Sequence, residues 1–165
     1  MEILIMYFNQ KIQEESLRNA FSDILKIAIS SIIITDEFDK YNEVFFENEN
    51  TEIDIIIEMH EMDEGDFRYI FYIYGNINKN LIFWDNLNED KSALEKQFGL
   101  KLLMSLSQIL DCEILTGDFP EKPQIKENYP HDWIVVKSRQ YFDVKVSADL
   151  FIDWNEKTIA PKILN

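Results

Sequence analysis

The chain has 165 residues, 46% hydrophobic and 13% aromatic, with only four glycines and four prolines; this is enough for one domain (1–165) with its own core, and too little Gly and Pro for flexible arms. The single Cys112 excludes an intramolecular disulfide framework and a multi-cysteine zinc site. A formal charge of −15 repels nucleic-acid phosphates and anionic membranes and attracts basic partners.

Glu2 to Phe8 is compatible with a first strand. The apolar start MEILIMYF carries Glu2 where a signal peptide is positive, and no small-residue cleavage site follows. No stretch reaches the roughly 18–20 apolar residues that span a bilayer. A cytoplasmic protein is expected. Asn9 is a candidate N-cap for a helix from about Gln10 to Ser30. Ile12, Leu17, Ala20, Phe21, Ile24, Leu25 and Ala28 give that helix one apolar stripe. Ser31 to Thr35 reads as a short strand, and Val44 to Glu47 as another, with Asn48 to Asn50 turning the chain.

Thr51 to Gly75 holds the strongest strand signal. Ile53, Ile55, Ile57 and Met59 alternate with Glu52, Asp54, Glu58 and His60, only Ile56 breaking the pattern. Phe67, Tyr69, Phe71 and Ile73 then alternate with Arg68, Ile70, Tyr72 and Tyr74. A period of two predicts a hairpin with one buried face, and Gly65 can supply positive φ in the connection Glu61 to Asp66. Eight apolar side chains on that face contribute roughly 1.5–3 kcal/mol each when buried, before ordering entropy.

Asn76 to Asn80 reads as a turn and Leu81 to Trp84 as a strand end or a buried loop. A second helix is expected from about Glu89 to Leu110, capped by Asn88 or Asp90. Its stripe includes Leu94, Phe98, Leu102, Leu103, Leu106, Ile109 and Leu110. Cys112 follows this apolar run and is expected to be a buried structural thiol. Glu113 to Leu115 is a short strand and Thr116 to Pro130 a loop with three of the four prolines. Trp133 to Lys137 and Tyr141 to Val146 form a second hairpin. The tail is expected to cross the surface and to end loosely, with 155–165 the looser part. The order of elements predicts an α+β fold: an antiparallel-dominated sheet with two main amphipathic helices packed on one face. No Gly-rich turn joins a strand to a helix, so the usual phosphate-binding device is missing.

Charge is concentrated. Asp36 to Asp66 carries thirteen acids against one base, Lys40, for a net charge of −12. One reading is plain solubility. The other is a binding surface, because Glu52, Asp54 and Glu58 fall on one strand face. Tyr72 and Tyr74 share that face, either as interface aromatics or as packing beneath the second helix.

Catalytic signals are weak. The group His60 to Asp66 has oxygen ligands but neither EF-hand nor HExxH spacing, and is read as a solvated acidic turn. His131–Asp132 has no serine motif or cysteine beside it. Pairs of carboxylates are inevitable among 31 acids. An enzyme using carboxylates, with or without a divalent metal, is therefore the least favoured reading; no catalytic residue, metal or cofactor is assigned.

The run LLMSLSQILDCEILTGD, ending at Asp118, followed by a polar Pro-containing loop and by Asn128 to Val136 (NYPHDWIVV), resembles small bacterial immunity proteins. These are the antidotes encoded beside polymorphic or contact-dependent toxins. The segment Phe119 to Glu127 is a long insertion against that pattern. No site residue carries over from the resemblance. It implies a protein that binds a toxin domain and blocks it, without chemistry of its own. Many such toxins are basic and attack nucleic acids, so an acidic partner can imitate phosphates. Contacts with a basic toxin domain are then expected at Glu52, Asp54, Glu58, Glu61, Asp63, Glu64, Asp66, Tyr72 and Tyr74. The alternative function is another acidic interaction module or an inhibitor of a nucleic-acid enzyme.

Overall fold

The computed structural model describes residues 2–48, 52–76, 91–116, 133–144 and 162–163. Expectations at 77–90, in the Pro-containing loop with His131–Asp132, and at Trp154 lie outside these residues. Among the described residues no helix is long and apolar enough to cross a membrane.

The fold is α+β. Strands β1 (Glu2–Phe8), β2 (Ile32–Thr35), β3 (Ile55–Glu61), β4 (Tyr69–Gly75), β5 (Glu113–Thr116), β6 (Trp133–Lys137), β7 (Gln140–Val144) and β8 (Lys162–Ile163) join in one sheet. Their spatial order is β2-β3-β4-β1-β5-β6-β7-β8. Among the described strands the β2–β3 pair is parallel and every other pair is antiparallel. The central hairpin forms as its alternation requires, with Glu58 opposite Tyr72 and Ile56 opposite Tyr74. Gly65 has φ 109°, the left-handed conformation its turn needs.

Helices α1 (Glu14–Leu25) and α2 (Lys91–Leu110) cover one face of the sheet. Leu17 and Phe21 of α1, and Leu103 and Leu106 of α2, pack with Phe8, Ile55, Ile57, Phe71, Ile114 and Val136. Each such side chain, fully withdrawn from water, contributes about 1.5–3 kcal/mol. Buried Ser107 of α2 ties the layers together. Its hydroxyl donates to the Cys112 carbonyl and accepts the Ser138 N–H at 2.7 Å. The Cys112 thiol is buried, and burial beside Asp111 and Glu113 pushes it up to about 12, so it stays a thiol at neutral pH.

Several expectations are corrected. The first helix is shorter than Gln10 to Ser30, because Asn9 serves the sheet instead of capping. Its N–H donates to the Glu113 carbonyl at 3.2 Å, and its side-chain oxygen accepts the Glu113 N–H at 3.0 Å. The C-terminal end comes at Lys26, in the left-handed region at φ 57°, where the Ser22 hydroxyl donates to the Ile27 carbonyl. The expected strand Val44 to Glu47 is a π-helical turn, Asn42–Glu47. Tyr41, Val44 and Phe45 stand at i, i+3 and i+4 and pack together on the sheet, which a strand would not allow. Phe67 leaves the face of Phe71. It precedes β4, and packs on the opposite side with Leu115, Val135 and Val144. Within the stretch expected to be loose, Lys162 pairs with Tyr141 and Ile163 with Gln140 as β8.

Candidate functional site

The face of the hairpin opposite the helices was expected to present carboxylates. Instead the segment 38–47 lies on it. Tyr41 stacks on Tyr74 at 4.2 Å and 11°, and Val44 and Phe45 close over Ile56. Tyr74 is buried, Tyr72 is half-buried, and Glu58 is 2% exposed. The covering element is thus this turn, not the second helix, and it buries Glu58 and Tyr74 where contacts with a binding protein were expected. The remaining expected contacts divide between two places. Glu52 is exposed and Asp54 half-buried before β3, whereas Glu61 is exposed at its far end and Asp63, Glu64 and Asp66 are exposed in the loop beyond it. At about 3.3 Å per residue, Asp54 and Glu61 lie roughly 23 Å apart along the strand.

At the far end the chain builds a compact arrangement. Phe38 lies flat on His60, with centroids 4.0 Å apart and planes 8° from parallel, while remaining 75% exposed. Tyr72 meets His60 edge-on, with ring centroids 5.8 Å apart. Glu58 Oε2 is 3.9 Å from His60 Nε2, too long for a hydrogen bond, and Glu58 Oε1 and His60 Nε2 are buried without protein partners. Burial raises the Glu58 carboxyl above the usual carboxylate range, against the pull of His60 and of the Lys40 backbone N–H it accepts. The negative charge of Asp39 pushes the same way as burial. Lys40 directs its ammonium outward to Glu43 at 2.7 Å and Glu37 at 3.2 Å. Hydrogen bonds to these two carboxylates, Glu43 first, raise the Lys40 pKa.

The hairpin loop is tied to the same end. Arg68 donates through Nη2 to Glu61 at 2.8 Å and through Nε to the Met62 carbonyl at 3.1 Å. The Met62 N–H returns to the Arg68 carbonyl at 2.8 Å. These bonds close the loop so that Asp63, Glu64 and Asp66 project from a fixed base. At the near end, the buried Asn76 amide donates to the Ile53 carbonyl at 2.8 Å and anchors the entry to β3.

Between the start of α1, the end of β2 and the hairpin lies an open cleft of about 580 Å³. Ile34, Met59 and Tyr69 form its apolar wall, and Glu14, Asp36 and Glu61 its acidic rim. Lys11 and His60 also border it. The residues 36–39 and Phe46 are therefore part of the candidate surface, although the period-of-two reading passed over them. Phe46 is 53% exposed on the outer side of the π-helical turn. The available signal was the helical spacing of Tyr41, Val44 and Phe45, which turns Phe46 outward. Among the described residues no three His, Cys, Asp or Glu side chains converge on a point that would hold a metal ion.

No family model, no curated protein and no solved structure matches this chain.

Proposed function

We propose that this chain is an immunity protein acting in the cytoplasm, which neutralises a bacterial toxin by binding its basic domain through an acidic, aromatic end of the sheet. The observation that carries the reading is Phe38. A ring this exposed, held flat on His60 and flanked by Asp36, Glu37 and Asp39, is a presented contact with its orientation already set. Aromatic residues are enriched at the cores of protein interfaces, with polar residues at the rim. Pre-set geometry also lowers the entropy lost on association.

The surrounding acids add speed and selectivity. Asp63, Glu64 and Asp66 are exposed beside Glu61, and Glu43 and Glu47 are exposed on the turn that carries Phe46. A field of this sign draws a cationic surface in and orients it before contact. It also suits a toxin that binds nucleic acid, whose phosphate-binding surface is positive. The resemblance of the α2–β5–β6 stretch to immunity proteins supports the same class of partner.

Co-expression with the product of the adjacent gene tests this reading, with cell survival and co-purification scored together. Rescue of cells from a toxic neighbour, with a stable complex, is the expected result. A complex with a harmless neighbour would move the chain to the alternative class of acidic interaction modules. The absence of both rescue and complex would overturn the proposal.

A further inference from the structure

The cleft beside Phe38 has two kinds of wall. Ile34, Met59 and Tyr69 offer apolar and aromatic surface, and the carboxylates of Glu14 and Asp36 stand at its rim. Glu61 is already engaged by Arg68, but Glu14 and Asp36 make no ion pair with any described residue. Lys11 supplies one opposing charge, so the rim remains net negative. A volume of about 580 Å³ falls within the range of pockets that enclose ligands. It has room for a side chain together with part of the backbone that bears it.

An occupant matched to both walls has an alkyl stem and a cationic head. Lysine and arginine have that form: the stem covers apolar surface while the head reaches carboxylates or water. Tyr69 is half-buried in the wall, and an aromatic ring attracts a cation over its face. We propose that this cleft receives a basic side chain, lysine or arginine, projecting from the protein partner. The inference rests on the proposed function only in taking the side chain to belong to a protein; the chemistry of the cleft stands without it.

The test therefore uses a probe that needs no partner. The full chain, labelled with ¹⁵N, is titrated with N-acetyl-lysine methylamide and, separately, with its uncharged norleucine counterpart. The lysine compound should shift the amides of Ile34, Asp36, Met59 and Tyr69 in a saturable way at millimolar concentration, and the norleucine compound should not. The double variant Glu14→Gln/Asp36→Asn alters two exposed residues and should retain the parent spectrum elsewhere. Two weak exposed pairs lost should lower the apparent affinity about fivefold. Shifts spread evenly over Glu43, Glu47 and Asp63 would show attraction to the whole acidic field, and would overturn the proposal. Equal response to the norleucine compound, or no response to either, would overturn it as well. Failure of this titration leaves the rescue experiment untouched, and failure of rescue leaves the titration readable.

Discussion

The ring of Phe38 lies parallel to the imidazole of His60 at 4.0 Å, yet three-quarters of Phe38 remains in water. A side chain that contributes so little burial has little reason to be aromatic for stability alone. The stack fixes its orientation, and the solvent-facing side is left for a partner. Phe38→Ser should therefore reduce affinity for the toxin partner by about 30-fold or more, the loss of roughly 2 kcal/mol that marks an interface hot spot. Thermal stability should change by no more than about 2 °C, as for other exposed sites. Titration calorimetry and a thermal melt of the same preparation check both halves.

Electrostatic steering makes a separate prediction. Asp63→Lys/Glu64→Lys reverses two exposed charges on the loop that Arg68 secures. Association with a basic partner should slow by about tenfold at low salt, with a smaller effect at high salt. Stopped-flow mixing at two ionic strengths measures this. An unchanged rate at low salt would remove the hairpin loop from the encounter surface.

Buried Glu58 gives stability a pH dependence whose sign is fixed. Its folded-state pKa is raised, chiefly by burial, so the folded protein holds this proton more tightly than the unfolded chain. Between the unfolded value near 4.5 and the raised folded value, the folded state binds more protons, and stability falls as pH rises. Stability from this group is full below the unfolded value and lost through the folded one. Glu58→Gln should flatten that component. Chemical denaturation from pH 4.5 to 7 should show the difference between parent and variant widening in the variant's favour as pH increases. A constant difference would mean that Glu58 carries no such linkage.

The 38–47 segment depends on Tyr41, whose ring covers Tyr74. Tyr41→Ala should cost roughly 1–3 kcal/mol, combining lost burial with a lost aromatic pair. Amide exchange in 38–47 should accelerate while β1 and β4 keep their protection. Partner affinity should fall too, because Phe38 would lose its fixed base.

The hairpin was legible because Ile53, Ile55, Ile57 and Met59 alternate with polar residues at every position but Ile56, and the helix-covered face of the sheet followed from it. Burial of the opposite face was not legible from the same rule. Ile56, the one break in the pattern, marks the place where Val44 and Phe45 pack. A period-of-two pattern reports which face is apolar, but a non-local segment can still cover the polar one. Glu58 illustrates this: its position on an acidic face was read correctly, and its exposure was set by residues 38–47. Asn9 shows a second limit. As a residue type it fits an N-cap, yet its hydrogen bonds run to Glu113, a hundred residues away in the chain. The end of α1 depended likewise on Lys26 taking a left-handed conformation that its identity does not announce.

The most direct test of the binding surface is hydrogen–deuterium exchange of the chain with and without the adjacent gene product. Protection on complex formation should appear in residues 36–47 and 61–68, with β6 and β7 unchanged. Protection confined to β6 and β7, with residues 36–47 exchanging as in the free chain, would contradict the account.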